Sequence, residues 1–119
     1  MSTRTFRITV RGAFDALTDA QRAALLADAA EHDLLRAAFT PEGTLTYDIA
    51  ARPAFVFRFS ATGEKEEDIL KATERAEEAA KSWLAARGYD FKHLRTTAED
   101  LSRAPLGKRR RRAARTTDS

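Results

Sequence analysis

Two stretches of the chain alternate cleanly between apolar and polar positions. From Thr5 to Arg11, Phe6, Ile8 and Val10 point one way while Arg7, Thr9 and Arg11 point the other; from Phe55 to Phe59 the three rings oppose Val56 and Arg58. A period of two places each apolar set on one face of a β-strand. Three of the seven phenylalanines fall within those five residues, so the core is expected to form around them. Thr44 to Ile49 alternates in the same way, setting Leu45, Tyr47 and Ile49 against Thr44, Thr46 and Asp48.

Elsewhere the period is that of a helix. Thr18-Asp19-Ala20-Gln21 has the form of a capping box, with an apolar stripe of Ala23, Leu26, Ala27 and Ala30 running to about Glu31. A second helix is expected from about Lys65 to Arg87, with acids in its first turn and Gly88 just past its end. Its apolar face is Ile69, Ala72, Ala76, Ala79, Ala80 and Trp83, and small side chains there would let the helix lie close to a sheet. Gly12, the Thr40–Gly43 segment with its early proline and final glycine, and Ala51-Arg52-Pro53 supply the reversals. Leu34–Phe39 is short and apolar enough for a strand, although a turn or a helix extension fits as well. A last strand runs from Tyr89 to Thr97 with Leu94 inward.

Strand, helix, two or three strands, helix, strand: two helices can cover one face of such a sheet, which gives an α+β two-layer sandwich. The expected fold is ferredoxin-like, an antiparallel sheet of four to five strands with two helices on one face. The first strand and the strand before the second helix pair at its centre. Phe6, Ile8 and Val10 then stand beside Phe55, Phe57 and Phe59, each worth about 1.5–3 kcal/mol in transfer terms before entropy is subtracted.

Charge divides the chain unevenly. Of 21 lysines and arginines six lie from Gly107 onward, with one of the 18 acids, so residues 1–106 carry 15 basic and 17 acidic side chains. The expected organisation is one domain over 1–106 and a disordered basic tail over 107–119. A slightly acidic body restricts any nucleic-acid reading to that tail. The absence of cysteine excludes disulfides and thiolate metal sites. No apolar run reaches the roughly 18–20 residues of a membrane span, and the chain opens directly on a strand pattern, so a cytoplasmic protein without membrane partners is expected.

Candidate chemistry lies in three places. The strand face opposite the phenylalanines carries Arg7, Arg11, Val56 and Arg58, which suits a homodimer or small oligomer, another partner, or an anionic ligand. Aromatics for base stacking belong on such a face in an RNA-recognition module, and here they fall on the other one. Lys108, Arg109, Arg110, Arg111, Arg112 and Arg115 read either as a solubilising tail or as an arm with weak affinity for nucleic acid and other polyanions. Tyr47 and His93 are pocket candidates for cofactor-free chemistry between helices and sheet, with a core tyrosine as the plainer reading of Tyr47. His32 and His93 lack metal-ligand spacing, and Glu31-His32-Asp33 reads as the end of a helix. No metal or cofactor is expected. The leading functional expectation is a non-enzymatic interaction protein working through the open sheet face. The alternatives are a small cofactor-free enzyme or anion-binding protein, and nucleic-acid association through the tail.

Three segments also carry a likeness. Arg4-Thr5-Phe6-Arg7 with Thr9-Val10-Arg11-Gly12, the run His32-Asp33-Leu34-Leu35-Arg36-Ala37-Ala38-Phe39-Thr40, and Ala104-Pro105-Leu106-Gly107 resemble a family of small actinobacterial proteins, domain of unknown function 6204. The resemblance covers nearly the whole body. It implies a single compact cytoplasmic domain and transfers no catalytic residue.

Overall fold

The computed structural model describes residues 3–101. The basic run Lys108–Arg112, Arg115 and the Ala104–Gly107 segment lie outside the described residues.

The alternating stretches form the middle of a four-stranded antiparallel sheet. β1 (Arg4–Asp15) and β3 (Ala54–Gly63) pair along ten residues, with Ile8 opposite Phe59, Val10 opposite Phe57 and Gly12 opposite Phe55. β2 (Thr44–Tyr47) lies outside β3 and β4 (Asp90–Asp100) outside β1, giving the order β2-β3-β1-β4. The expected juxtaposition of the two apolar rows therefore holds. Phe6, Ile8, Val10, Phe55 and Phe57 are each at most 1% exposed beneath the helices. Gly12 makes room in this row, because a Cβ there would come within 2.7 Å of the Phe55 ring.

α2 (Asp68–Ala86) seals most of that face. Its buried residues Ala72, Ala76, Ala80 and Leu84 recur every four positions, so short side chains line the stripe that meets the sheet. At the start of the helix, Asp68 accepts hydrogen bonds from the backbone N–H groups of Glu64 and Lys65, both at 2.9 Å. Those two bonds hold its carboxyl below the usual aspartate range.

α1 (Asp19–Ala27) begins with both halves of the capping box formed: Gln21 N–H donates to Thr18 Oγ1 at 3.1 Å and Thr18 N–H to Gln21 Oε1 at 2.9 Å. Its inner face differs from the expected stripe. Leu25 is buried, whereas Leu26 is 50% exposed and Ala23, Ala27 and Ala30 face solvent. The cause is tertiary. The Gln21 side chain donates to the Gly88 carbonyl just past α2, and the Leu25 carbonyl accepts from the Tyr47 hydroxyl, so the line through positions 21 and 25 turns inward.

Leu34–Phe39 is not a strand. Ala29–His32 and Leu34–Arg36 are 3-10 turns, the second nucleated by Asp33, whose carboxylate accepts from Leu35 N–H at 2.8 Å. This local bond competes with extended pairing, and it leaves Leu35 95% exposed. Thr40 rejoins the sheet by a single parallel bridge to Phe59. The following turn closes as expected, with Gly43 N–H donating to the Thr40 carbonyl and hydroxyl. Gly43 holds φ +92°, and a Cβ there would collide with the Phe57 ring, whose Cε1 would be 2.7 Å away.

β4 is longer than the expected Tyr89–Thr97 strand and is interrupted once. Arg95 stands opposite Arg11 but Lys92 stands opposite Ala13, so His93 and Leu94 together face Gly12 in a β-bulge. His93 takes φ +58° to make it.

Candidate functional site

The face of the sheet turned away from the helices is built by strand alternation alone. Arg7, Thr9 and Arg11 of β1, Val56 and Arg58 of β3 and Thr46 of β2 share it, as their parity required. Beyond the bulge, β4 adds Arg95 opposite Arg11, Thr97 opposite Thr9 and Glu99 opposite Arg7. Three adjacent rungs thus carry four guanidinium groups and one carboxylate.

These arginines are held differently. Arg58 is half-buried and donates from Nη1 to Thr46 Oγ1 at 2.9 Å, which accounts for a threonine only 2% exposed on an otherwise accessible face. Burial, and then the charge of Arg11, lower its pKa from the ordinary arginine value. Arg7 lies over the Phe39 ring at 5.1 Å from the centroid, so the irregular segment after Leu34–Arg36 reaches one corner of the face. Arg11 and Arg95 face each other across β1 and β4, both exposed. Among the described residues the salt bridges are Arg4–Asp100 and Lys92–Asp15, and neither involves these four arginines.

At the hairpin end this face runs into a cleft of about 800 Å³. Arg11, Ala13, His93 and Arg95 line one side; Val56, Ala54 and Thr46 lie at the sheet; Leu26, Asp33 and Leu34 come from the first helix and the turns after it. Asp48 and Arg52 of the β2–β3 connection complete its rim. The two pocket candidates, Tyr47 and His93, therefore line one cleft.

Tyr47 is 7% exposed, on the helix side, and its hydroxyl donates to the Leu25 carbonyl at 2.6 Å. Burial, reinforced by Asp28, pushes its pKa up to about 12. Two rings pack on this side: His32 stacks on the Tyr47 ring at 5.2 Å, and Trp83 stands edge-on to His32 at 5.5 Å. His32 Nδ1 lies 2.8 Å from the Leu45 carbonyl, and since a carbonyl only accepts, Nδ1 carries the proton. At neutral pH the Tyr47 hydroxyl therefore keeps its proton and gives it in a hydrogen bond to the Leu25 carbonyl.

Sequence reasoning placed Arg7, Arg11, Val56 and Arg58 on one face. It missed Arg95 and the partnership of His32 with Tyr47. The pattern Arg95, Thr97, Glu99 was a legible polar alternation, but the bulge before it hid which side it faced. Nothing local marked His32, whose neighbours come from β2 and α2. Among the described residues no group of three or more His, Asp or Glu side chains is placed to hold a metal ion. No helix among them is long and apolar enough to cross a membrane.

The class defined by fold and surface is a two-layer α+β domain with an arginine-bearing sheet face. The chain belongs to the family described as "Family of unknown function (DUF6204)", whose pattern matches residues 1–112. No curated protein and no solved structure matches it.

Proposed function

We propose that this protein is a non-enzymatic binding module that takes an acidic partner on the open face of its sheet. The observation that supports this is the set of four arginines, Arg7, Arg11, Arg58 and Arg95, on adjacent rungs without an intramolecular ion pair among the described residues. Like charges placed opposite each other destabilise a sheet, so their accumulation on one face favours a negatively charged occupant. A second copy set face to face would bring arginines against arginines with Glu99 as the nearest relief, so a sheet-on-sheet homodimer has less support than an acidic partner of another kind. Cofactor-free chemistry at Tyr47 has less support again, given the engaged hydroxyl. Polyanion association through Lys108–Arg112 rests on tail charge alone. The fold we take to be ferredoxin-like, on the strength of a strand order that sets β1 and β3 at the centre with β2 and β4 at the edges.

The test is a titration of the full isotope-labelled chain with poly-glutamate, followed by amide shifts. Shifts at Thr9, Arg58 and Thr97 that fade between about 50 and 500 mM salt, as surface charge pairing does, and that vanish in Arg7→Glu/Arg58→Glu, are expected. Shifts confined to the tail, or undiminished in that variant, would overturn the reading.

A further inference from the structure

Four features meet at the hairpin end of the open face. Arg11 and Arg95 are direct cross-strand neighbours of like charge, with no carboxylate bridging them among the described residues. Both line the cleft, and so does His93, a non-glycine residue held at φ +58°. Left-handed backbone at such a residue is uncommon and concentrates at functional sites. The bulge that requires it also turns the histidine toward the cleft. The remaining surface between the cations and the turn at Leu34 is largely apolar: Val56, Ala54 and Ala13 at the sheet, Leu26 and Leu34 across from them. Leu26 and Leu34 are 50% and 68% exposed, which is unusual for leucines beside a concavity that could bury them.

A volume of about 800 Å³ is of the size that accepts a small organic molecule. Resting on the anion-binding reading of this face, we infer that the cleft binds a small amphipathic carboxylate. Its anionic group lies between Arg11 and Arg95, within reach of His93, and its apolar body lies over Val56 and Ala54 against Leu26 and Leu34. The carboxylate relieves the repulsion between the two guanidinium groups, and a planar fork on each side suits two-oxygen recognition. Asp33 and Asp48 line the opposite rim. Asp33 is already accepting from Leu35 N–H, and with Arg52 beside Asp48 this rim has no surplus of positive charge to compete with the arginine end. Arg7 and Arg58 do not line the cleft, so the site shares Arg11 and Arg95 with the partner surface described above but not its other two arginines.

Sodium octanoate is the probe, titrated into the full chain and followed by amide shifts, with inorganic phosphate and poly-glutamate in parallel. Octanoate is expected to shift Arg11, Ala13, Val56 and His93. Arg11→Gln and Arg95→Gln are each expected to weaken it about tenfold, the loss that follows from removing one charge-assisted hydrogen bond, while Arg7→Gln leaves it unchanged. Octanoate shifts scattered outside the cleft, or insensitive to both cleft arginines, would overturn the inference. Phosphate binding as tightly as octanoate would overturn it too, since the apolar body would then contribute nothing. Poly-glutamate binding through Arg7 and Arg58 without any octanoate response sinks the cleft ligand and leaves the partner face standing; no response to either probe sinks both.

Discussion

Tyr47→Phe removes one oxygen from the interior, and its effect should change sign with pH. The hydroxyl donates to the Leu25 carbonyl at 2.6 Å from a side chain 7% exposed. Its loss strands that carbonyl away from water, a net cost of about 1–2 kcal/mol at neutral pH. The same hydroxyl has its pKa raised from 10.0 to about 12, chiefly by burial. A raised folded-state pKa means that the folded chain holds the proton more tightly than the unfolded chain. The associated stability is complete below about pH 10 and is lost as pH rises through about 12; two pH units are worth at most about 2–3 kcal/mol. The phenylalanine variant should therefore be less stable than the parent by about 1–2 kcal/mol from pH 7 to 9. That gap should close above pH 10, and near pH 12 the variant should be the more stable chain. Urea titrations read by the single tryptophan, Trp83, report both, since it packs edge-on against the His32 ring that covers Tyr47. Other titrating groups are common to the two chains and cancel in the difference. A gap that stays constant from pH 7 to 12, or equal stability at pH 7, would refute the assignment of a buried, donating hydroxyl.

Other substitutions test the packing. Gly43→Ala combines a left-handed backbone with a collision at Phe57 and should cost about 2–4 kcal/mol by urea titration; a loss under about 1 kcal/mol would mean the turn relaxes freely. Ala76→Leu, at a position 0% exposed on the α2 stripe, should lower stability by about 1–3 kcal/mol by wedging helix from sheet, with a fall in Tm as the readout. Thr18→Ala removes one half of the α1 capping box and should cost about 1 kcal/mol. Leu35→Ser, 95% exposed, should stay within about 0.5 kcal/mol of the parent in the same assay, and a larger loss would show that the turn packs against something.

What could be read in advance follows from the range of the interaction concerned. The facing rows of Phe6, Ile8, Val10 and Phe55, Phe57, Phe59 were legible because alternation is a property of neighbouring residues. The capping box at Thr18 and the turn at Gly43 were legible for the same reason. The inner face of α1 was not: a nine-residue helix with alanine on most sides has little preference of its own, and Gln21 and Leu25 are selected by Gly88 and Tyr47, far along the chain. Leu34–Phe39 looked like a strand by composition, but one carboxylate, Asp33, was enough to coil it. At the candidate site Arg7, Arg11 and Arg58 followed from parity, while Arg95 required knowing that β4 contains a residue its partner strand does not match. The stacking of His32 on Tyr47 is a meeting of two side chains 15 positions apart with no local pattern to announce it.

The unmatched residue in β4 has a consequence of its own. Because His93 and Leu94 share one partner, Gly12, removing His93 leaves a strand that still counts correctly in both directions. Phe91 would stay opposite Phe14, Leu94 would take the place opposite Gly12, and Arg95 would still meet Arg11. The histidine is thus arithmetically surplus: the ladder closes up without it, and no core side chain changes sides. A one-residue deletion here should yield a folded domain with a straighter edge and a cleft that lacks its imidazole, unlike a deletion at Leu94, which would take away a side chain packed against the core. The architecture tolerates this extra residue without needing it for pairing, so what His93 contributes lies in the imidazole that it adds to the cleft.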